Sequence, residues 1–421
     1  MGRLPSGSRD SLADVAGVTV GHCTLAQGNV QTGVTVIHPH ADNLFMHKVP
    51  AAASVLNGFG KSMGLIQVAE LGVLETPIAL TNTFGVAAVA DAQIRQAIAE
   101  NPEIGRSLPT VNPLVFECND GYLNDIQAMA VTQAHYQHAC QDASANVAQG
   151  SVGAGRGMSS FSFKGGIGSA SRVVSAPASP TAEGPHNGSP ARATQWTVGA
   201  LVLSNFGRLP NLTVAGRPFG QAWLTQQAAT THVASQTQVA VQAQGAAKAQ
   251  GAAQTVTAQA QGAAQTVAAQ THAPSESRAI EDDAPEKGSI ILVIATDAPL
   301  DARQLKRLSL RAGAGLARTG SVFGHGSGDI ALAFSTAYTV PQDAQAPMPA
   351  IAMLHETGLD PLFEAAAEAC EQAIIHALWS AETVHGRDDH VRQALPEAMQ
   401  QWREWLDTTT LNLARSHPDS L

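Results

Sequence analysis

Residues 286–295 read EKGSIILVIA. Six apolar residues, Ile290 to Ala295, follow a Gly-Ser pair, and a run this short and this uniformly apolar predicts a strand buried on both faces. A strand of that kind belongs at the centre of a layered α/β structure. Ser289 opens it abruptly, directly after a long Ala/Gln-rich stretch. Two readings are open. Ser289 is an internal residue after a turn glycine, or it is the first residue of a second polypeptide freed by cleavage after Gly288. An N-terminal serine carries its own base: an α-amino group with pKa near ~7.7–8.0 titrates close to neutrality and lies within reach of its own hydroxyl. Glycine on the other side of the bond leaves the attacked carbonyl unobstructed and tolerates a strained backbone.

Outward from this stretch, the chain reads as compact α/β with two interruptions. Before them, β-rich runs at Gly17–Val20, Gly33–His38 and Ile78–Thr83 alternate with stretches read as helical, Val49–Leu56 and Ala88–Ala99. Residues 175–192 are rich in Ser, Pro, Gly and Ala and are expected to form a surface loop. The strand TVGALVLSN, ending at Asn205, follows. Residues 226–286 repeat GAAQTV at 251–256 and 262–267, with too few large apolar side chains to bury a helix, and read as a linker that ends in the solvated charges Glu281, Asp282 and Asp283. Beyond the serine strand the pattern predicts a helix over Asp301–Arg318 with Leu305, Leu308 and Leu316 on one side, then a strand over Ile330–Ser335. Asp360-Pro361 is read as an N-cap and first turn of a scaffold helix carrying Phe363, Ala366, Cys370, Ala373, Ala377 and Ala381 toward the core.

Composition narrows the function classes. The 421 residues are 44% hydrophobic and 14% charged, enough to bury a large core, and the formal net charge of −10 disfavours nucleic acid or an anionic membrane surface as partner. No run of about 18 apolar residues or signal-peptide core is present, and the four cysteines form no CxxC pair, so a cytoplasmic, reducing location is expected. GAGRGM (153–158) and GHGSGD (324–329) lack the spacing or the lysine of phosphate-binding loops. His135, His138 and Cys140 do not share a helical face well, and His38, His40 and His47 lack a second ligand pair, so neither group is read as a metal site. No GxSxG elbow or spaced Ser-His-Asp set is found, so a hydrolase here needs a different base for its nucleophile.

Seven stretches in order carry a resemblance: DVAGVTVGHCTL (14–25), TGVTVIHPHADNLFMHKVPAAASVLNGFGKSMGL (32–65), ELGVLETPIALTNTFGV (70–86), ECNDGYLNDI (117–126), GSVGAGRGMSSFSFKGGIGSASR (150–172), KGSIILVIATDAPL (287–300) and HGSGDIALAFSTA (325–337). The chain resembles the DmpA-type family of L-aminopeptidase/D-Ala-esterase/amidases and β-peptidyl aminopeptidases. The resemblance implies a four-layer α/β/β/α sandwich like that of the N-terminal-nucleophile hydrolases, with its own connectivity. It implies one domain cut by the protein itself into an α-chain, 1–288, and a β-chain, 289–421, which stay associated, and a homo-oligomer, a tetramer of such αβ units. It also implies Ser289 as nucleophile with Gly288 before the cut, Ser327 and Asp329 as its supporting pair, Asn205 as oxyanion donor, Glu117 as partner of the substrate ammonium, and Tyr122 in the pocket wall.

The expected activity is therefore removal of N-terminal L-, D- or β-aminoacyl groups from short peptides, amides or esters, without metal or organic cofactor. Some β-peptidyl enzymes carry Glu where Asp329 stands, which leaves the β- or α-peptide preference open. Two alternatives are an acyltransferase of the ornithine-acetyltransferase type, against which a serine rather than threonine nucleophile speaks, and an inactive binding or assembly module. The latter draws on Asp389 in HGRDDH (385–390), where relatives tend to have glycine.

Overall fold

The computed structural model describes residues 2–175, 195–228 and 287–398. The expected loop 175–192 and linker 226–286 lie outside these residues, except that Ser175 ends a strand and 226–228 are helical, as are 219–225.

The serine strand, Lys287–Thr296, runs through the middle of a seven-stranded sheet. It pairs antiparallel with Gln195–Asn205 and parallel with Gly326–Ser335; beyond these lie Gly166–Ser175 on one side and His47–Gly58 on the other. Its apolar run divides by alternation. Ile290, Leu292 and Ile294 join Leu305, Leu308, Ala312 and Leu316 of the helix Ala302–Arg318 and the buried face of the helix Asp360–Trp379. Ile291, Val293 and Ala295 face the other way, onto Ile37, Ile78, Leu80, Leu114 and Phe116 of a second sheet. All six residues of the run are fully buried, and each large aliphatic among them contributes ~1.5–3 kcal/mol relative to exposure.

The second sheet has four strands in the order Thr19–Gln27, Val30–His38, Ile78–Asn82, Leu114–Cys118. Its outer face packs Val34, Val36, Ala79 and Val115 on Val86, Val89, Ala90 and Tyr136 of the helices Val86–Glu100 and Gln133–Gln141. The layers are therefore helix, sheet, sheet, helix, as expected.

Two local readings are corrected. Val49–Leu56 is not a helix but lies within the strand His47–Gly58, where Val49, Ala51 and Ala53 face the second sheet and Ala52 faces the helix layer. Alanine favours a helix in isolation, but small side chains here let a helix lie close on the sheet: Ser54 Oγ is 2.6 Å from Ser309 Oγ, and Lys306 Nζ donates to the Ala53 carbonyl. Asp360 does not cap its helix. Leu359 occupies the cap position and Asp360 is the first helical residue, where its charge still suits the positive end of the helix dipole. The other helix start is as read: Asp301 Oδ1 accepts from the Gln304 N–H at 2.7 Å, while Gln304 Oε1 accepts from the Asp301 N–H.

The four cysteines are free, and among the described residues no helix is long and apolar enough to cross a membrane. His135 Nδ1 accepts the Thr132 N–H at the start of its helix, which is a capping role.

Candidate active site

The ends of four strands converge on Ser289. The antiparallel ladder sets Asn205 opposite Ser289, and the parallel ladder sets Gly328 beside Ser289 and Ser327 beside Gly288. Ser289 Oγ donates to the Gly288 carbonyl at 2.7 Å and accepts from the Gly328 N–H at 3.2 Å. The hydroxyl therefore touches the carbonyl of the bond that would be cut. Gly288 has φ +143, a conformation L side chains rarely adopt, and a Cβ there would lie 2.2 Å from the Asn205 carbonyl oxygen. Only glycine fits this position.

Ser327 Oγ donates to Asp329 Oδ1 at 2.5 Å, and both residues are buried. No hydrogen bond joins the Ser327 and Ser289 hydroxyls. The parallel register pairs Ser327 with Gly288 and Asp329 with Ile290, one position to either side of Ser289. Asn57 Nδ2 fixes this loop by donating to the carbonyls of Gly324 and Ser327, at 2.7 and 2.6 Å.

Asn205 is held by two loops. Its Nδ2 donates to the Asn119 carbonyl at 3.0 Å, and its Oδ1 accepts from the Ser159 N–H at 2.8 Å. The amide orientation is thereby set, with nitrogen toward Asn119 and one further N–H for another acceptor.

Glu117 is the next-to-last residue of the strand Leu114–Cys118 and is 3% exposed. Its carboxylate accepts from the Lys61 N–H at 2.7 Å and from the Thr83 hydroxyl. Gly60 lies between it and Gly328, the neighbour of Ser289: a Cβ on Gly60 would sit 3.5 Å from Glu117 Oε1 and 3.8 Å from Gly328 Cα. The buried Cys118 thiol is pushed well above its ordinary pKa by burial first, then by the charges of Glu117, Asp329 and Asp120, which marks how closely these carboxylates gather.

The structure thus brings together Gly288, Ser289, Ser327, Asp329, Asn205 and Glu117. Tyr122 follows Asn119 by three residues. Its ring stacks on His390 at 4.4 Å between centroids, and the Arg392 guanidinium lies 3.6 Å over it. Asp389, the departure noted above, has φ +58. Its difference from glycine is a matter of local backbone conformation, which aspartate tolerates better than bulkier residues.

Sequence reasoning did not single out Asn57, Lys61 or Thr83, nor the exposed Phe59 and Phe84 beside the residues that hold Glu117. NGFGK and TNTFG carried the only signal, as glycine-bearing turns inside the resembling stretches. A cavity of about 450 Å3, lined by His38, Glu75 and Tyr136 among others, opens at the far end of the small sheet, and no residue of this site lines it. Among the described residues, no three His, Cys, Asp or Glu side chains are grouped to hold a metal ion.

Two facing sheets between helix layers, with the serine strand inside the larger one, define the fold of the N-terminal-nucleophile hydrolases. The comparisons agree: residues 10–392 match the model of peptidase family S58, and the chain belongs to that family. It is 34% identical over 402 residues to the β-peptidyl aminopeptidase BapA of Sphingosinicella microcystinivorans, covering 93% of this chain and 87% of that one. Among solved structures it is similar to a β-aminopeptidase of a Burkholderia species, with TM-score 0.71 and 35% identity over 95% of this chain and 96% of the other. The L-aminopeptidase D-Ala-esterase/amidase of Ochrobactrum anthropi, described as a variant of the Ntn-hydrolase fold, gives TM-score 0.71 and 29% identity over 95% and 97% of the two chains. The chain is an enzyme of the aminopeptidase class on that fold.

Proposed function

We propose that this aminopeptidase cuts its own chain between Gly288 and Ser289 and then uses Ser289 to release N-terminal residues from short peptides, amides or esters. The observation that carries the reading is the 2.7 Å contact of Ser289 Oγ with the Gly288 carbonyl, at a glycine whose φ of +143 excludes other residues. Attack of Oγ on that carbonyl carbon, with the Oγ proton passing to the Ser289 nitrogen as the Gly288 C–N bond breaks, gives an ester. Water releases Gly288 as a carboxylate and leaves Ser289 with a free α-amino group. In turnover the amine takes the Oγ proton as Oγ attacks the substrate carbonyl, and returns it to the leaving nitrogen; water then cleaves the acyl-enzyme.

The Ser327–Asp329 pair, hydrogen-bonded to each other on the strand next to Ser289, has the role of orienting the new amine. The Asn205 amide is the donor to the developing oxyanion, a contact worth roughly 3 kcal/mol in comparable sites. Glu117 binds the substrate ammonium, which restricts the enzyme to free N-termini. Phe59 and Phe84, exposed beside the Glu117 partners, form an apolar rim for the first side chain, a place the sequence resemblance gives to Tyr122. The relatives named β-peptidyl aminopeptidases support β-aminoacyl substrates alongside L- and D-aminoacyl ones.

The domain reading is one sandwich cut into 1–288 and 289–421. Continuous ladders from the serine strand to Gln195–Asn205, before the cut, and to Gly326–Ser335, after it, support lasting association of the two parts. A tetramer of αβ units and a cytoplasmic location complete the reading, the latter in keeping with four free cysteines.

The test is a denaturing gel with N-terminal sequencing and an aminoacyl anilide assay. Wild-type protein gives two bands, one beginning at Ser289, and hydrolyses the anilide; Ser289→Ala gives one uncut, inactive chain. Normal cutting of Ser289→Ala overturns the proposal. Release of the acyl group mainly to an added amine, rather than to water, would mark an acyltransferase.

A further inference from the structure

We propose that Asp120, with buried Lys164, is a positioning residue that locks the Asn205 amide in place against Ser289. The inference rests on Asn205 as the oxyanion donor and deepens that reading.

Asn205 has two side-chain partners, the Asn119 carbonyl and the Ser159 N–H, and they lie on different loops. An amide held this way is only as well placed as the two loops are relative to each other. Asp120 is where they meet. It follows Asn119 directly and is fully buried. Its carboxylate accepts from Asn124 Nδ2 at 3.0 Å, and its carbonyl accepts from the N–H groups of Leu123 and Asn124. Asn124 Oδ1 accepts in turn from the Gln31 N–H at 3.0 Å, which anchors the loop to the strand Val30–His38. On its other side Asp120 packs under Gly157, two residues before Ser159. A Cβ on Gly157 would come within 2.7 Å of Asp120 Cβ and 2.2 Å of the Gln31 carbonyl oxygen. The second loop thus passes too close to Asp120 for any residue but glycine.

Lys164 closes the second loop from within. Its Nζ, fully buried, donates to the carbonyls of Gly155 and Gly165 at 2.8 and 2.9 Å and so ties together the two ends of the turn that carries Ser159. Burial pushes the Lys164 pKa well down and Arg156 adds to this, whereas Glu382 and Asp120 favour its charged form. Asp120 itself is pushed up to about 7 by burial, against the pull of hydrogen bonds from Thr32, Asn124 and Asn82. Both shifts favour the uncharged forms, so each group is kept in the core by its hydrogen bonds, Asp120 to Asn124 and Lys164 to the Gly155 and Gly165 carbonyls. Here they sit one on each loop that grips Asn205. None of these atoms touches the reacting bond, so their effect on chemistry passes through Asn205.

The test compares wild type, Asp120→Asn, Asn124→Ala and Asn205→Ala, using self-cleavage rate on gels and kcat and KM for an aminoacyl anilide, with kcat normalised to the cut fraction. Asp120→Asn removes the charge with little change of shape; Asn124→Ala frees the carboxylate and leaves its charge. Both are expected to lower kcat and slow self-cleavage by about tenfold or more, as small misplacements in catalytic groups do, with KM unchanged. Wild-type kcat in both overturns the inference, as does a loss in which kcat and KM worsen together in step with a lower melting temperature. Should Asp120→Asn not fold, Asn124→Ala decides by the same criteria. Asn205→Ala separates the two levels. Wild-type rates there would defeat the oxyanion role itself, whereas its loss beside unaffected Asp120→Asn and Asn124→Ala would defeat only the positioning role.

Discussion

Asn205 and Ser289 face each other across an antiparallel ladder, although they are far apart in the chain, while Gly328 closes on Ser289 from the parallel side. Ser289 is thus held along both edges of its strand by the two strands that carry its proposed partners. Cutting the chain at Gly288 removes none of the ladder beyond it. A new terminus formed there remains seated in the sheet, a requirement for any catalyst built on a freshly made amine.

The Gly288 backbone provides the most direct prediction about this seat. Gly288→Ala has to accommodate φ +143 and a Cβ only 2.2 Å from the Asn205 carbonyl oxygen, so the uncut chain is strained by roughly 1–3 kcal/mol or its strand start shifts. Either response moves the Ser289 hydroxyl off the carbonyl it contacts. Self-cleavage should slow by at least about tenfold, read as persistence of the uncut band over a time course. Cutting at the wild-type rate would show that the φ at Gly288 does not matter.

Gly328→Ala tests the other side. Its Cβ would lie 2.9 Å from the Phe59 carbonyl oxygen and 3.0 Å from Ser289 Oγ. The serine hydroxyl is the softer of the two, and the cheapest relief is to rotate it away, which also costs the 3.2 Å bond from the Gly328 N–H. The expected outcome is a folded protein with kcat reduced by about tenfold or more and a melting temperature lowered by only a few degrees. Wild-type kcat would mean the hydroxyl has room that the geometry denies it.

The serine strand was legible because its core residues alternate between two apolar neighbours, so every position from Ile290 to Ala295 had to be apolar. Helix Ala302–Arg318 was legible from Asp301 and its leucine spacing, which are local signals. Val49–Leu56 was misread because a doubly buried alanine-rich strand and a buried helix segment look alike without their neighbours. The partners of Glu117 were invisible for another reason. Lys61 and Thr83 reach it from 56 and 34 residues away, and no periodicity encodes such pairings. Asn205 and Glu117 were assigned by resemblance; their strands' register is a property of the fold.

Glu117→Gln probes that distant pairing. A neutral amide keeps the size but loses the charge that would meet the substrate ammonium, and it presents an N–H where both present partners, Lys61 and Thr83, donate. KM for a free-amine anilide should rise about tenfold or more, with a smaller effect on kcat, since a hydrogen bond to a charged group contributes ~1.5–3 kcal/mol. The gel should still show two bands, because self-cleavage involves no substrate ammonium. An unchanged KM would remove Glu117 from the substrate site.

Stability against pH offers a prediction away from the nucleophile. His22 is pushed down to about 4 by burial, partly countered by Asp142, and its Nδ1 is 2.9 Å from Thr35 Oγ1. Between pH 4 and 6.5 the unfolded chain therefore binds a proton here that the folded chain refuses, and stability contributed by neutral His22 is lost as pH falls through that window. Asp120, pushed up to about 7, acts with the opposite sign: the folded chain holds the extra proton, so its contribution is lost as pH rises from about 4 to 7. The two partly cancel in the wild type alone. Comparing the wild type with His22→Gln removes the Asp120 contribution, which is common to both. The melting-temperature advantage of the wild type over His22→Gln should shrink steadily from pH 6.5 to 4 and stay level above pH 7. A difference that is flat across the acid range would mean His22 accepts its proton as readily in the fold as in water.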